Sequence, residues 1–489
     1  MRKIFEPQMK FGEVHIKDIQ FDLRSRDEIP KLLMGIQSLY CNPSARAELF
    51  TILEKITPKN VNKNNGRPGM DIWKIFVLGT LRLCCNWDYD KVTEIANNHH
   101  TLRLMLFHSP DDRSLYALQT IRDNLALFQP ETLDEINQVV IKYGHELVGK
   151  KKDENLKGSC DSFVVETDVH YPTDINLLFD AMRKIITLTM ALSNQFDLSG
   201  WRKGQHNLKK VKKLFRKAQQ AKRSKSKNQE KAIEDAHQAY LDFSESIIEK
   251  AKHSIEELYV PSDVLLYARI IEIQKYITHA ERQIDQIDRR IFKKEKIPHS
   301  EKVFSIFEEH TEWISKGKAG VPQELGLRVC ILKDQFGFIL HHRVMQNETD
   351  EKIAVPMIAE TKERFPDLNS CTFDKAFHTP WNQEKLLEII EQVILPRKGR
   401  LSKANKEIED SDWFKDGRRK HPAVESSIAA LENHGLDRCR DHGIDGFKRY
   451  VGLSIVARNI QILGNICQQK DRELQEKTGK KRSRLRMAA

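Results

Sequence analysis

Strand-forming sequence in this chain falls into two blocks held apart by more than a hundred helical residues, and that split limits the fold more than any other feature. The first block, "LKGSCDSFVVETDVHYP" (156–172), has the β-branched and aromatic content of a strand and carries Asp161 inside it. After Pro172 the pattern turns helical until about residue 300. The second block opens with "LGLRVCILKDQFGFILHHRVM" (325–345). There Leu327, Val329 and Ile331 alternate, "KDQFG" turns, and Phe338, Leu340, His342 and Val344 alternate again, which predicts a β-hairpin. His341 and His342 face opposite sides of such a strand and do not share a metal site. A helix, "ETDEKIAVPMIAETKERFP", follows with Asp350 as its cap, then the strand "NSCTFD", which ends on Asp374. A helix from Trp381 to Ile390, the strand "EQVILP" (391–396) and the basic loop "RKGRLSK" come next. A helix carrying Glu425 begins at Pro422, whose missing N–H suits the first helical position.

The rest of the chain reads as helix. Residues 1 to about 150 are all-helical, broken by "GRPG" (66–69) just before "MDIWKIFVLGTLRLCC" (70–85), which is apolar nearly all round and so a buried central helix. "DYDKVTEIANNHHTLRLMLF" (88–107) reads as two short helices capped by Asp88 and Thr101. That spacing suits a helix-turn-helix DNA reader and a small helical bundle equally, and His99 and His100 fall on the polar joint. Between Pro261 and Pro298, Leu266, Ile270, Ile273, Ile277, Ala280, Ile284, Ile287 and Ile291 recur in steps of four and three, a coiled-coil seam. An upstream stripe of Ala236, Tyr240, Phe243, Ile247, Ala251, Ile255 and Leu258 predicts an antiparallel hairpin of two helices, with dimerisation through the seam as the competing arrangement.

Charge narrows the partners. The net charge is +11, and thirteen of the thirty positions from Arg202 to Lys231 are Lys or Arg, opposed only by Glu230. Clustered cations attract polyphosphate by counterion release, so nucleic acid is the leading partner. Arg202, Lys203, Lys209, Lys210, Lys212, Lys213 and Arg216 are the candidate contacts there, and "KTGKKRSRLRMAA" at the C-terminus is a second basic cluster. The competing reading of both is a solvated helix face or a disordered tail. Eight scattered cysteines without a CxxC pair point to reduced thiols rather than structural zinc. No apolar run reaches the ~18 residues of a membrane span, and the N-terminus lacks a secretory core, so the expected location is the cytoplasm.

With segment 175–300 removed, the order of elements is strand with Asp161, two hairpinned strands, helix, strand ending on Asp374, helix, strand, and helix with Glu425. That is the ribonuclease H-like order, an α+β core with a mixed five-stranded sheet, joined here to an all-helical N-terminal domain and a long helical insertion between the first and second strands. In such a sheet the first and fourth strands are neighbours, and three acids distant in sequence converge. Carboxylates suit hard divalent cations, and two such ions ~3.5–4 Å apart can drive in-line phosphoryl displacement. Each acid has a plainer alternative: Asp374 as a turn initiator, Asp161 as a solvent-facing strand residue, Glu425 as a complement to its helix dipole.

On these blocks the chain resembles DDE transposases of bacterial insertion sequences, most closely the group labelled ISNCY. "CDSFVVETDVHYPTDINLL" looks like the first-Asp block, and "KVFSIFEEHTEWISKGK" with "ELGLRVCIL" like the approach to the second strand. "FDKAFHTPWNQEKL" resembles the second-Asp block, "VILPRKGR" the strand and basic loop after it, and "WFKDGRRKHPAVESSIAALENHGLDRCRDHGIDGFKRYVGLSIVARNIQILG" the final-Glu block. The resemblance implies that Asp161, Asp374 and Glu425 are the catalytic triad and hold two Mg²⁺, with Mn²⁺ able to substitute. It implies cleavage of double-stranded DNA at inverted-repeat ends and strand transfer into target DNA by a homodimer, in the bacterial cytoplasm. Arg397, Lys398 and Arg400 would then hold backbone phosphates near the site, while Glu166, Asp168, His170 and Asp174 support the structure, His170 and Tyr171 being further candidates for DNA contact. The expected segments are an N-terminal domain (1–150) for end recognition, a catalytic core (151–174 and 301–435), a basic helical insertion (175–300) and a C-terminal helix with basic tail (436–489). Two positions depart from the family: Ala376 stands where Gly is usual, and Glu432 where a basic residue is common. A nuclease on the same fold, without strand transfer, and a non-catalytic DNA-binding protein are the rival classes.

Overall fold

The computed structural model describes residues 3–5, 12–57, 69–196, 198–223, 228–258, 264–315 and 323–488, with side chains as far as Lys477. Most of "GRPG", Pro261 and nearly all the side chains of the C-terminal basic cluster lie outside the described residues. The chain forms two compact units, one of Met1–Asp168 with Ile314–Ala489 and one of Val169–Trp313. The sequence suggests four segments; compactness divides the chain into two.

Among the described residues seven α-helices precede the first strand: α1 (Glu28–Cys41), α2 (Pro43–Leu53), α3 (Ile72–Cys84), α4 (Tyr89–Asn98), α5 (His100–Met105), α6 (Leu118–Leu125) and α7 (Pro130–Val148). Helix α3 is buried on every side except at Lys74, as its all-round apolar sequence requires. Asp88 caps α4, accepting from Lys91 N at 2.8 Å. The cap of α5 is His99, whose Nδ1 accepts from Leu102 N at 3.2 Å, and not Thr101. The joint between α4 and α5 is a single extended residue, so Thr101 already lies inside the first turn.

Strand β1 (Leu156–Thr167) leads into the second unit, which holds α8 (Asp174–Phe196), α9 (Gly204–Arg223), α10 (Gln229–Glu257) and α11 (Val264–Ile291). The seam on α11 is buried at Leu266, Ile270, Ile273, Ile277, Ala280 and Ile287, with Ile284 and Ile291 partly covered. Its cover corrects the expected two-helix hairpin. Helix α11 packs chiefly on α8, and α10 lies chiefly on α9, so four helices share one apolar cluster. Ile175, Leu178, Met182 and Ile185 give α8 its own apolar stripe, and this stripe occupies the seam without a second chain.

The remaining elements are β2 (Glu312–Ser315), β3 (Gln323–Lys333), β4 (Ile339–Met345), α12 (Asp350–Arg364), β5 (Leu368–Phe373), α13 (Pro380–Ile389), β6 (Gln392–Ile394), α14 (Lys403–Asp410), α15 (Asp412–Lys420), α16 (Ala423–Leu431), β7 (Arg438–Cys439) and α17 (Gly443–Ala488). They complete a mixed α+β architecture around one sheet. Its order is β2-β3-β1-β5-β6, with β4 also on β3 and β7 also on β1. The sheet has seven strands rather than five, because the short β2 and β7 extend it. Strands β5 and β7 run parallel to β1, β6 runs parallel to β5, and β3 is antiparallel to both β1 and β4. Pro422 caps α16 from just outside, one residue earlier in role than expected.

One hydrophobic cluster joins the sheet to the N-terminal helices and to α17, which packs on α1, α3 and α7. The α1–α17 crossing is close because it is made through glycine. A Cβ on Gly464 would lie 1.7 Å from the Lys31 carbonyl oxygen, and one on Gly35 2.2 Å from that of Ile460. Gly464→Ala should therefore destabilise the first unit by about 1–3 kcal/mol in denaturant titration. Gly446→Ala, on the same helix with no neighbour nearer than 3.5 Å, should be neutral or slightly stabilising.

Candidate active site

The pairing of β1 with β5 determines which acids meet. Ser159 lies opposite Thr372 and Cys160 opposite Phe373, in parallel. One step further along both strands are Asp161 and Asp374, so the same register sets them side by side, ~5 Å apart at the backbone. Side chains alternate along a strand, hence Ser159 with Asp161, and Thr372 with Asp374, project to one face. The Thr372 Oγ1 to Ser159 Oγ hydrogen bond, 3.0 Å, identifies the face they share.

Glu425 reaches that face from the other side of the sequence. His421 Nδ1 lies 3.0 Å from the same Thr372 Oγ1. His421 and Pro422 are both in right-handed helical conformation, so Glu425 follows His421 by one turn. Lys333 at the end of β3 donates to the Ala423 carbonyl at 3.0 Å and holds the start of α16 a second time. Asp374 and Glu425 are exposed, and Asp161 is partly buried.

Electrostatics records the same convergence. Burial pushes the Asp161 carboxyl up to about 6; a hydrogen bond from Ser162 N opposes this, and the charges of Asp374, Asp350 and Glu425 add to it. The charges that act most strongly on Asp161 are thus all negative. Asp374 is not consumed by the turn it precedes, since its side chain makes no capping hydrogen bond there. Oxygen donors of this kind, open to solvent, are the ligand type that suits a hard divalent cation. Among the described residues no group of three or more His, Cys, Asp or Glu side chains stands placed to hold a metal ion.

Two neighbours of this site are not evident from sequence. Asp350 is not the cap of α12: Thr349 holds that position, and Asp350 Oδ1 accepts from Ser162 Oγ at 2.6 Å. His421 is the other, and its spacing of four from Glu425 is the one signal in the sequence that could reveal it.

The basic loop lies next to the acids. Lys398 Nζ donates to the Ala376 carbonyl at 2.9 Å and pairs with Glu351 at 3.4 Å, tying the loop to the turn after Asp374. Arg397 is half-buried with its backbone N–H on Glu409, and Arg400 is exposed. Ala376 sits in a 3-10 turn and is not among the positive-φ residues, so glycine is not required there. Glu432 opens a short π-helical turn, while Arg438 pairs with Glu166 at 3.0 Å and Asp168 at 3.7 Å, and Arg440 reaches Asn86 at 2.8 Å. In the second unit, His170 pairs with Asp180 at 2.5 Å and Asp174 with Arg290 at 2.7 Å, both structural contacts. Arg202 and Lys203 are exposed ahead of α9, and Lys209, Lys210, Lys212, Lys213 and Arg216 form its exposed face, opposite buried Val211 and Ala218. Lys210 Nζ also lies 4.0 Å from the centre of the Phe243 ring.

Comparison with protein-family models, curated proteins and solved structures returns no match. Among the described residues no helix is long and apolar enough to cross a membrane.

The raised Asp161 carboxyl has a consequence for stability. With its folded-state value near 6 against 3.8 ordinarily, the group is protonated in both states below about pH 4 and ionised in both well above pH 6. Native stability is therefore lost as pH rises between those limits, by about 1–3 kcal/mol. Asp161→Asn should raise the metal-free midpoint of thermal unfolding at pH 7 by a few degrees and leave it unchanged at pH 4. Magnesium should raise the wild-type midpoint at pH 7 but not that of the variant; equal shifts in both would remove Asp161 from the cation site.

Proposed function

We propose that this chain is a DDE transposase with a ribonuclease H-like core, cutting double-stranded DNA at the ends of an insertion sequence and joining them to target DNA. The observation that carries the reading is the register Ser159–Thr372 and Cys160–Phe373, which runs on to Asp161 beside Asp374, with Glu425 tethered to the same face through His421. The strand order supports it as well: β4-β3-β1-β5-β6 with β3 alone antiparallel is the order expected of such a core.

In this reading Asp161, Asp374 and Glu425 hold two Mg²⁺. Bound there, the ions supply Lewis-acid activation of the attacking oxygen and charge stabilisation of the departing 3′-oxygen. The chain's own part is to bring three carboxylates toward one point; burial and their mutual repulsion disfavour ionised Asp161, a cost that bound cations would offset. Lys398 sets positive charge beside the turn after Asp374, and the exposed Arg400 two residues on would add to it, where such charge suits backbone phosphates and leaves base sequence unread. The cations of α9 give the second unit a duplex-binding face, and a homodimer would supply one site for each transposon end.

Pre-cleaved end DNA, a target plasmid and Mg²⁺ should yield joined products with the wild-type chain, whereas nicks without joining would favour a nuclease. Asp161→Asn, Asp374→Asn and Glu425→Gln should each lower product by at least about 10³-fold while preserving DNA binding; full activity in any of them contradicts the triad. Replacing Lys209, Lys212, Lys213 and Arg216 together by Ala should flatten the slope of log affinity against log salt by about 1 for each phosphate no longer neutralised. An unchanged slope would remove α9 from the DNA interface.

A further inference from the structure

We infer that His421 is a positioning residue that fixes Glu425 against the Asp161–Asp374 edge through a Ser159–Thr372–His421 hydrogen-bond chain; this rests on the three acids forming the proposed site. The chain has a defined direction. Thr372 Oγ1 donates its only proton to Ser159 Oγ at 3.0 Å. The imidazole nitrogen 3.0 Å from that same oxygen must then be the donor, so His421 carries its proton on Nδ1 and the lone pair on Nε2. Burial lowers the pKa of the ring, against the pull of Asp374 and Glu425, which agrees with a neutral imidazole.

The mechanical consequence follows from where His421 sits. It closes α15 and, through Pro422, opens α16, so its ring is attached at the joint between two helices. Fixing that joint to β5 fixes the first turn of α16, where Glu425 lies. On one flank Lys333 holds the Ala423 carbonyl, and beneath it Val424 is fully buried. Those contacts set the height of the helix over the sheet. The His421 link adds a connection from this joint to the strand that ends on Asp374. Side chains that orient ligands in this way typically change metal affinity or activity by about 10–100-fold when removed.

Asparagine and glutamine separate a positioning role from a direct one, because an Asn amide can replace Nδ1 and a Gln amide can replace Nε2. In the full chain, two quantities are read: the Mg²⁺ concentration that half-saturates the rise in thermal midpoint, and kcat for strand joining. Thr372→Val and His421→Ala should weaken the Mg²⁺ response and lower kcat by about 10–100-fold each, with KM for DNA unchanged. His421→Asn and Thr372→Ser should restore most of both, and His421→Gln should not. Wild-type Mg²⁺ response in Thr372→Val and His421→Ala overturns the inference. So does a His421→Asn variant as impaired as His421→Ala, since Nε2 would then act directly, or a Thr372→Ser variant that fails to rescue. The triad variants separate the two claims: if they retain joining activity, the functional reading itself falls, and if they lose it while Thr372→Val and His421→Ala behave as wild type, only the role of His421 falls.

Discussion

The parallel register between β1 and β5 is the constraint on which the site depends. A slip of one residue would turn Asp161 to the opposite face from Asp374. The register is held by shape as well as by hydrogen bonds. A Cβ on Gly158 would meet Cys371, Leu332 and Leu368 at 3.2–3.3 Å, so β1 sits unusually close to its neighbours just before the acids. Further along, Gly326 of β3 lies against the β1 backbone, where a Cβ would be 2.0 Å from the Val165 carbonyl oxygen. Two close approaches, one on each side of Asp161 in sequence, leave the strand little freedom to shift.

The same arrangement is costly when it stands alone. Burial and three other negative charges disfavour ionised Asp161, and no cation ranks among the strongest influences on it. By contrast, the buried Arg82 of the first unit is paired: it meets Asp441 at 3.0 Å and lies over the ring of Tyr89. Under the proposed function, the acids around Asp161 are left without a dominant compensating charge because a ligand would supply it. A divalent cation is the simplest such ligand.

Much of this is legible in sequence where the signal is local. Alternation locates β1, β3, β4 and β5, an apolar circumference locates α3, and the strand signal that stops at Asp374 matches the end of β5 at Phe373. What escapes is long-range or shared between elements. The seam of α11 is plain, but its main cover, α8, lies far upstream and carries a stripe equally suited to α10. His421 escapes because its partner, Thr372, is 49 residues away, and no local pattern marks a threonine as an acceptor. Asp350 reads as a cap because Asp at a helix start ordinarily is one; here tertiary contact with Ser162 takes the carboxylate instead. The fusion of the N-terminal helices, sheet and α17 into one core has the same cause, since glycine-mediated crossing of α1 and α17 is set by two helices more than four hundred residues apart.

The claim that three acids from β1, the end of β5 and α16 form one cation site is tested most directly by replacing magnesium with ferrous ion and generating hydroxyl radical with ascorbate and peroxide. Radicals cut the backbone close to the bound metal. The account predicts fragments from cleavage near residues 161, 374 and 425 in the same sample, suppressed by excess Mg²⁺ and absent from Asp161→Asn. Cleavage confined to other positions, or an identical pattern in the variant, would contradict it.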